Sequence, residues 1–187
     1  MDNIFRKPMV LVFAGPNGSG KTTITRNLPI HGTYVNADDI KAAYNLTDLE
    51  AAQNAEVLRN ALLGKRVDFS FETVLSTERN LLLLEKAKSL GYEIHGVYVL
   101  TCDASINVAR VKMRHAGGGH DVPEDKIRSR YHKALGLVPR LLNVCDNFLI
   151  FDNSDKTSII FRKENGIAST YPNKFWSDEA IQKLLGW

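Results

Sequence analysis

The residues best suited to chemistry stand near the start of the chain. Gly15-Pro16-Asn17-Gly18-Ser19-Gly20-Lys21-Thr22 matches the spacing G-x-x-x-x-G-K-[ST] in full. The glycines let the backbone turn with its N–H groups inward, a cradle for the oxygens of a nucleoside triphosphate. Lys21 is long enough to reach the β- and γ-phosphates, and Thr22 offers a hydroxyl to Mg²⁺ where a helix begins. The context agrees. Residues 10–14 form an apolar run with the length of a buried strand, and Ile24-Thr25-Arg26-Asn27-Leu28 after the loop suits a helix. The expected nucleotide-binding set is therefore Gly15, Pro16, Asn17, Gly18, Ser19, Gly20, Lys21, Thr22 and Thr23.

Three polar clusters follow strand-like runs: Asn36-Ala37-Asp38-Asp39, Phe71-Glu72-Thr73 and Asp152-Asn153-Ser154. Each alone suits a helix cap or a turn, because Asp, Asn, Ser and Thr bond their own backbone there. On the rim of a sheet that also carries the phosphate loop, they become carboxylates facing a triphosphate. Transfer of a phosphoryl group to a hydroxyl needs a carboxylate that takes the proton and holds the nucleophile in line. Asp38 is assigned that role, and its neighbour Asp39 is expected to cap a helix beginning near Ile40. Glu72 closes the alternating run Asp68-Phe69-Ser70-Phe71-Glu72. It is expected to coordinate Mg²⁺ or to hold a substrate hydroxyl, with Thr73 beside it on the substrate side.

A basic segment supplies counter-charge. Arg110 and Arg114 stand four residues apart on one helix face, Gly117, Gly118 and Gly119 supply a hinge, and Asp121 with Glu124 is placed to cap the next helix. Residues 110–133 thus read as a mobile lid whose arginines close onto the phosphates and offset the charge that develops during transfer. The competing reading is a solvated basic helix pair. His120 sits in the hinge, and its structural and catalytic readings both stay open. With Arg128 it joins Asp38, Glu72 and Thr73 as a substrate-side candidate.

The elements that must hold these residues follow from periodicity and punctuation. Strands are expected at 9–14, 33–36, 67–72, 93–100 and 147–152, alternating with helices, which argues for a parallel sheet covered on both faces. Thr47-Asp48-Leu49-Glu50 makes a capping box for a helix with Ala51, Ala55, Leu58 and Leu62 on one face and Gly64 as its stop. Another helix is expected over 78–90 with Gly91 after it, and a third opens at Ser177-Asp178-Glu179. Glu164-Asn165-Gly166 marks a hairpin joining 158–163 to 167–171. The expected fold is a three-layer α/β/α sandwich with a mostly parallel five-stranded sheet, a C-terminal β-hairpin and a helical lid.

With 187 residues the whole chain, 1–187, is expected to form one domain. Its 24 basic and 21 acidic residues are interleaved, so net charge does not argue for nucleic acid. No stretch has the length and apolarity of a membrane span, Cys102 and Cys145 fit no metal-ligand spacing, and the first fifteen residues lack a signal peptide's apolar core. The expected location is cytoplasmic.

The order of these motifs resembles the zeta toxin-like family of P-loop kinases, related in architecture to adenylate kinase and chloramphenicol phosphotransferase. The resemblance covers roughly residues 8–155. It rests on the phosphate loop, on Val35-Asn36-Ala37-Asp38-Asp39-Ile40, on Phe71-Glu72-Thr73, and on the arginine helix leading into Gly118-Gly119-His120-Asp121-Val122-Pro123. It implies a P-loop NTPase fold and transfer of the γ-phosphate of ATP or GTP to a sugar hydroxyl of UDP-N-acetylglucosamine, with an antitoxin protein as a partner of some members. By that resemblance Lys21 and Thr22 bind phosphate and Mg²⁺, Asp38 is the base, Glu72 contacts substrate, and Arg110 stabilises the transferred group. Asn153 would lie near the nucleotide base, and Asn153-Ser154-Asp155-Lys156 lacks the order N-K-x-D that selects guanine, so ATP is favoured. Where better-known members carry a second lid arginine this chain has His120, which leaves Arg114, Arg128 or Arg130 as the second clamp. Three other classes stand beside this one, the third a purely structural fold that the intact phosphate loop argues against. A polynucleotide kinase or RNA-associated NTPase would need stacking aromatics, and the lid offers little beyond Tyr131. A nucleotide-driven module without acceptor chemistry would need no base at Asp38.

Overall fold

The computed structural model describes residues 6–117 and 122–187. The run Met9–Ala14 forms β1, and all six of its residues are buried because both of its faces are covered. Val10, Val12 and Ala14 point into a large core, whereas Leu11 and Phe13 join a smaller one with Ile24 and Val99 on the opposite face. That two-sided burial is why the run reads as continuously apolar. After the phosphate loop come α1 (Lys21–Thr25), β2 (Thr33–Val35), α2 (Ala37–Tyr44), α3 (Asp48–Lys65) and β3 (Phe69–Thr73). Then follow α4 (Arg79–Ser89), β4 (Glu93–Leu100), α5 (Ala104–Ala116), α6 (Glu124–Gly136), α7 (Val138–Val144) and β5 (Asn147–Asp152). The chain closes with β6 (Ser158–Glu164), β7 (Ile167–Thr170) and α8 (Asp178–Leu185).

The strands lie in the order β2-β3-β1-β4-β5-β6-β7. The first five are parallel, as expected. The C-terminal hairpin lies at the sheet edge, as expected: β6 pairs antiparallel with β5, so the five parallel strands and the hairpin form one sheet of seven. Asn165 and Gly166 both take positive φ (51° and 79°), the backbone a tight two-residue hairpin turn needs. Helices α3, α4, α7 and α8 contribute Leu62, Leu84, Leu141 and Ile181 to the larger core, while α1 covers the other face through Ile24. Chain order reverses about β1, which sits between β3 and β4. In open α/β sheets that reversal leaves a crevice at the carboxyl ends of the strands.

Four boundaries depart from the sequence expectation for physical reasons. Helix α3 runs through Gly64 and ends at Arg66, which takes the left-handed conformation (φ 56°) itself. Burial of Leu62 and Leu63, with the Tyr92 hydroxyl donating to their carbonyls, outweighs the ~1 kcal/mol that glycine costs in a helix. Helix α2 begins at Ala37 rather than near Ile40, because the Asn36 side chain caps it by accepting from the Asp38 amide at 3.0 Å. Asp39 is therefore a first-turn residue and not the cap. Strand β3 starts at Phe69, leaving Val67 outside the sheet and exposed. Helix α6 has Pro123 at its N-cap without a side-chain bond, and Glu124 instead pairs with Lys112 and Arg128. Asp121, expected to share that cap, lies outside the described residues, as do Gly118, Gly119 and His120. Among the described residues no helix is long and apolar enough to cross a membrane.

Candidate active site

The phosphate loop is held in its turn by groups distant in sequence. Gly15 has φ 141°, and a Cβ there would lie 2.0 Å from the Val99 carbonyl oxygen, so no other residue fits against β4. Gly20 has φ 92°, and its Cβ would strike the Asn153 side-chain amide at 2.2 Å. That amide donates to the Ser19 carbonyl at 2.8 Å, and its oxygen accepts from Thr157 at 2.7 Å. Asn153, expected at the nucleotide, thus braces the loop backbone. At the loop's tip Asn107 of α5 donates to the Asn17 carbonyl at 2.8 Å, and Arg130 of α6 reaches the Asn17 side-chain oxygen at 3.4 Å. The root of the lid therefore grips the loop from both helices.

Asn107 was not legible in the sequence, where it is one polar residue in an amphipathic helix. In the fold it is fully buried, with its oxygen accepting from the Thr101 hydroxyl. Asn107→Ala leaves the Asn17 carbonyl without its donor and the buried Thr101 hydroxyl with only the Asp103 carbonyl, a loss of about 1–3 kcal/mol. The expected outcome is a lower urea midpoint at unchanged slope, measured by fluorescence.

Lys21 donates to the Pro16 carbonyl at 3.1 Å. Part of its surface meets water, yet its ammonium is desolvated, which lowers its pKa to about 8 against the pull of Glu72 and Asp38; Arg114 adds a further lowering. These four groups therefore share one electrostatic neighbourhood. Asp38 and Arg114 also line, with Lys41, Ala42, Asn45 and Leu46, a cleft of about 420 Å³. A second cavity of about 210 Å³, against Leu11, His95 and Asn147, holds none of the candidate residues.

Glu72, next to last in β3, faces α1. Its Oε2 accepts from Thr22 Oγ1 at 3.3 Å, and its Oε1 from Thr25 Oγ1 at 2.9 Å and from the Tyr34 hydroxyl at 2.7 Å. Thr22 and Glu72 make an all-oxygen pair beside the phosphate loop. That suits Mg²⁺, a hard cation that takes one or two protein oxygens and completes its shell with water and phosphate. The Thr73 hydroxyl, a substrate-side candidate, accepts from the Leu75 amide at 3.0 Å and the Asn80 side chain at 2.7 Å, shaping the turn into α4.

In the lid, Arg110 is half-buried. Its Nη2 donates to the Ser154 carbonyl at 3.5 Å, while its Nη1 is buried with no hydrogen-bond partner among the described residues. The Ser19 hydroxyl is likewise buried and unpartnered. Buried donors without acceptors are costly, and an anion held by the loop relieves that cost. Arg128 is engaged elsewhere, with Glu124 at 2.9 Å and the Ser105 hydroxyl at 3.2 Å. The structure thus brings Lys21, Thr22, Glu72, Asp38 and Arg114 together, sets Arg130 on the loop tip, and keeps Arg128 within the lid.

A phosphate loop after the first strand of a parallel sheet, braced by two lid helices, defines a P-loop kinase architecture. The chain belongs to the Zeta toxin family, whose sequence profile matches residues 2–165. It is 30% identical over 127 residues to an uncharacterised protein of Haemophilus influenzae, an overlap of 65% of this chain and 91% of that one. Among solved structures it is similar to a chain of the AvrRxo1-ORF1:AvrRxo1-ORF2 complex, solved with ATP (TM-score 0.73, 15% identity over 97% of this chain). The likeness spans only 64% of that longer chain. It is also similar to the PezAT chromosomal toxin-antitoxin system of Streptococcus pneumoniae (TM-score 0.61, 15% identity, 97% of this chain and 79% of that one). At these identities the structural likenesses speak for the fold.

Proposed function

We propose that this chain is an ATP- and Mg²⁺-dependent kinase that moves the γ-phosphate to a hydroxyl of a small acceptor, a nucleotide sugar of the UDP-N-acetylglucosamine kind being the leading candidate. The observation that carries the reading is the meeting of Lys21, Glu72, Asp38 and Arg114 at the carboxyl ends of the strands. The seven strands sharing one sheet support reading 1–187 as one kinase domain with its lid at 110–133. ATP rather than GTP is supported by the missing N-K-x-D order after β5. The cytoplasm, where ATP is made and used, is the compartment this chemistry asks for. An antitoxin chain is the partner suggested by family membership.

Magnesium-bound ATP supplies the phosphoryl group, and Thr22 with Glu72 would hold the metal. The backbone of 15–20 cradles the phosphates and Lys21 neutralises their outer oxygens. Asp38, exposed at the start of α2, receives the proton of the acceptor hydroxyl as that oxygen bonds to phosphorus and the bond to the ADP oxygen breaks. Arg110 and Arg114 offset the charge that spreads over the transferred group.

An acceptor screen with γ-labelled ATP and mass spectrometry of the products tests this reading: a phosphorylated nucleotide sugar is the expected product. Label appearing only as free phosphate would remove the acceptor chemistry, and label on an RNA end would favour the polynucleotide alternative. Asp38→Asn should bind ATP as the parent does, since the amide keeps the shape, and should lose transfer by ~10²-fold or more because it cannot take a proton. Loss of ATP affinity with normal transfer per bound complex would make Asp38 a structural or metal-side residue.

A further inference from the structure

The Glu72 carboxylate is aimed by a residue that the motifs do not contain. Tyr34 lies on β2, the edge strand beyond β3, and its hydroxyl donates to Glu72 Oε1 at 2.7 Å, the shortest of the three bonds this carboxylate accepts. Thr25 donates to the same oxygen but also lies 3.2 Å from the Lys21 carbonyl and 3.1 Å from the Thr22 carbonyl. Its single hydrogen is therefore shared, whereas Tyr34 brings its own to Glu72. With Oε1 fixed from this side, Oε2 is left facing Thr22 Oγ1. The same phenol accepts from the Asn36 side-chain nitrogen at 3.5 Å, and the orientation of that amide is set by its oxygen, which caps α2 at the Asp38 N–H. One hydroxyl thus joins the end of β3 to the start of the helix that carries Asp38.

We propose that Tyr34 is a positioning residue for the divalent cation, holding Glu72 in the one orientation that presents Oε2 beside Thr22. This rests on the reading of Thr22 and Glu72 as the metal-holding pair. A glutamate has three rotatable bonds, so a carboxylate not clamped from behind samples orientations in which Oε2 leaves Thr22. Partners that orient a metal ligand typically matter by 10–100-fold in metal affinity.

The test measures binding of a non-hydrolysable ATP analogue by calorimetry, with Mg²⁺ and with EDTA, for the parent, Tyr34→Phe, Glu72→Gln and the double variant. The expected result is that Mg²⁺ tightens binding in the parent and that Tyr34→Phe loses about 10-fold of that tightening. Its affinity in EDTA and its thermal midpoint should match the parent, and the double variant should lose no more than Glu72→Gln alone. An unchanged Mg²⁺ effect in Tyr34→Phe overturns the proposal while leaving the metal pair standing. An equal loss in EDTA overturns it too, making Tyr34 a packing residue. A parent whose affinity is indifferent to Mg²⁺ overturns the metal pair itself, and Tyr34's role with it.

Discussion

Lys21→Ala should leave a folded protein whose turnover of ATP falls by ~10²–10³-fold or more, because a desolvated cation aimed at developing negative charge is among the strongest terms a phosphate site owns. Folding should not suffer. The pKa of Lys21 is lowered from 10.5 to about 8, first by burial, so between those pH values the unfolded chain binds more protons than the folded one. Stability attributable to this group therefore rises with pH across that window and is at its least favourable below pH 8. Replacing Lys21 removes that penalty, so the thermal midpoint of the variant at pH 7 should equal or exceed the parent's. The same shift predicts proton uptake on nucleotide binding. At pH 9 the free protein's lysine is largely neutral and a bound triphosphate recharges it, whereas at pH 6.5 it is already charged. Calorimetry in buffers of different ionisation enthalpy should find uptake at pH 9 that Lys21→Ala lacks. Turnover near the parent rate in Lys21→Ala would falsify the phosphate-loop mechanism.

Arg110→Ala should slow transfer by about 10³-fold or more if the side chain acts as an arginine finger does, with the loss mainly in kcat. The physical ground is its buried Nη1, which has no hydrogen-bond partner among the described residues and needs an anion more than the weak bond to the Ser154 carbonyl supplies. A group that meets charge as it develops contributes more to the transition state than to the bound ground state. Arg114 shares the cleft with Asp38, and Arg130 holds Asn17 at the loop tip, so each should be sensitive when replaced singly. Arg128, tied to Glu124 and Ser105, should matter least. If Arg110, Arg114, Arg128, Arg130 and His120 can each be replaced without loss of rate, the basic segment is a solvated helix pair and the kinase lacks its charge stabiliser. Parent-like rates combined with weaker RNA binding would bring the nucleic-acid reading forward.

Local chemistry sufficed for much of this protein. The spacing of the phosphate loop marks its turn by itself, since its glycines take φ 141° and 92°, a backbone other residues rarely adopt. Strands β1, β4 and β5 begin and end where the sequence reading put them: β1 is apolar and buried throughout, β4 carries Glu93 and His95 at half-buried positions before its apolar run, and β5 is bounded by Asn147 and Asp152. The capping box at Thr47 and Glu50 starts α3 with bonds of 2.9 and 3.3 Å made within four residues. Asn165-Gly166 folds its own hairpin in the same way.

What tertiary structure alone decided involves partners with no sequence relation to one another. Tyr34 meets Glu72 across 38 positions, Asn107 meets Asn17 across 90, and Asn153 meets Ser19 across 134. Tyr34 and Asn107 do not differ in type or spacing from ordinary strand and helix residues, so no local pattern marks them, and Asn153 stands in a marked cluster whose contact with Ser19 no local pattern gives. Their partners are set by which strands neighbour β1 and by where the lid helices land. The end of α3 was decided there too, since burial of Leu62 and Leu63 carried the helix past Gly64 to a residue with no intrinsic preference for stopping it. A short-range signal sets an element's conformation when its own backbone bonds dominate, and long-range packing takes over where burying side chains and their polar partners is worth more than a residue's propensity.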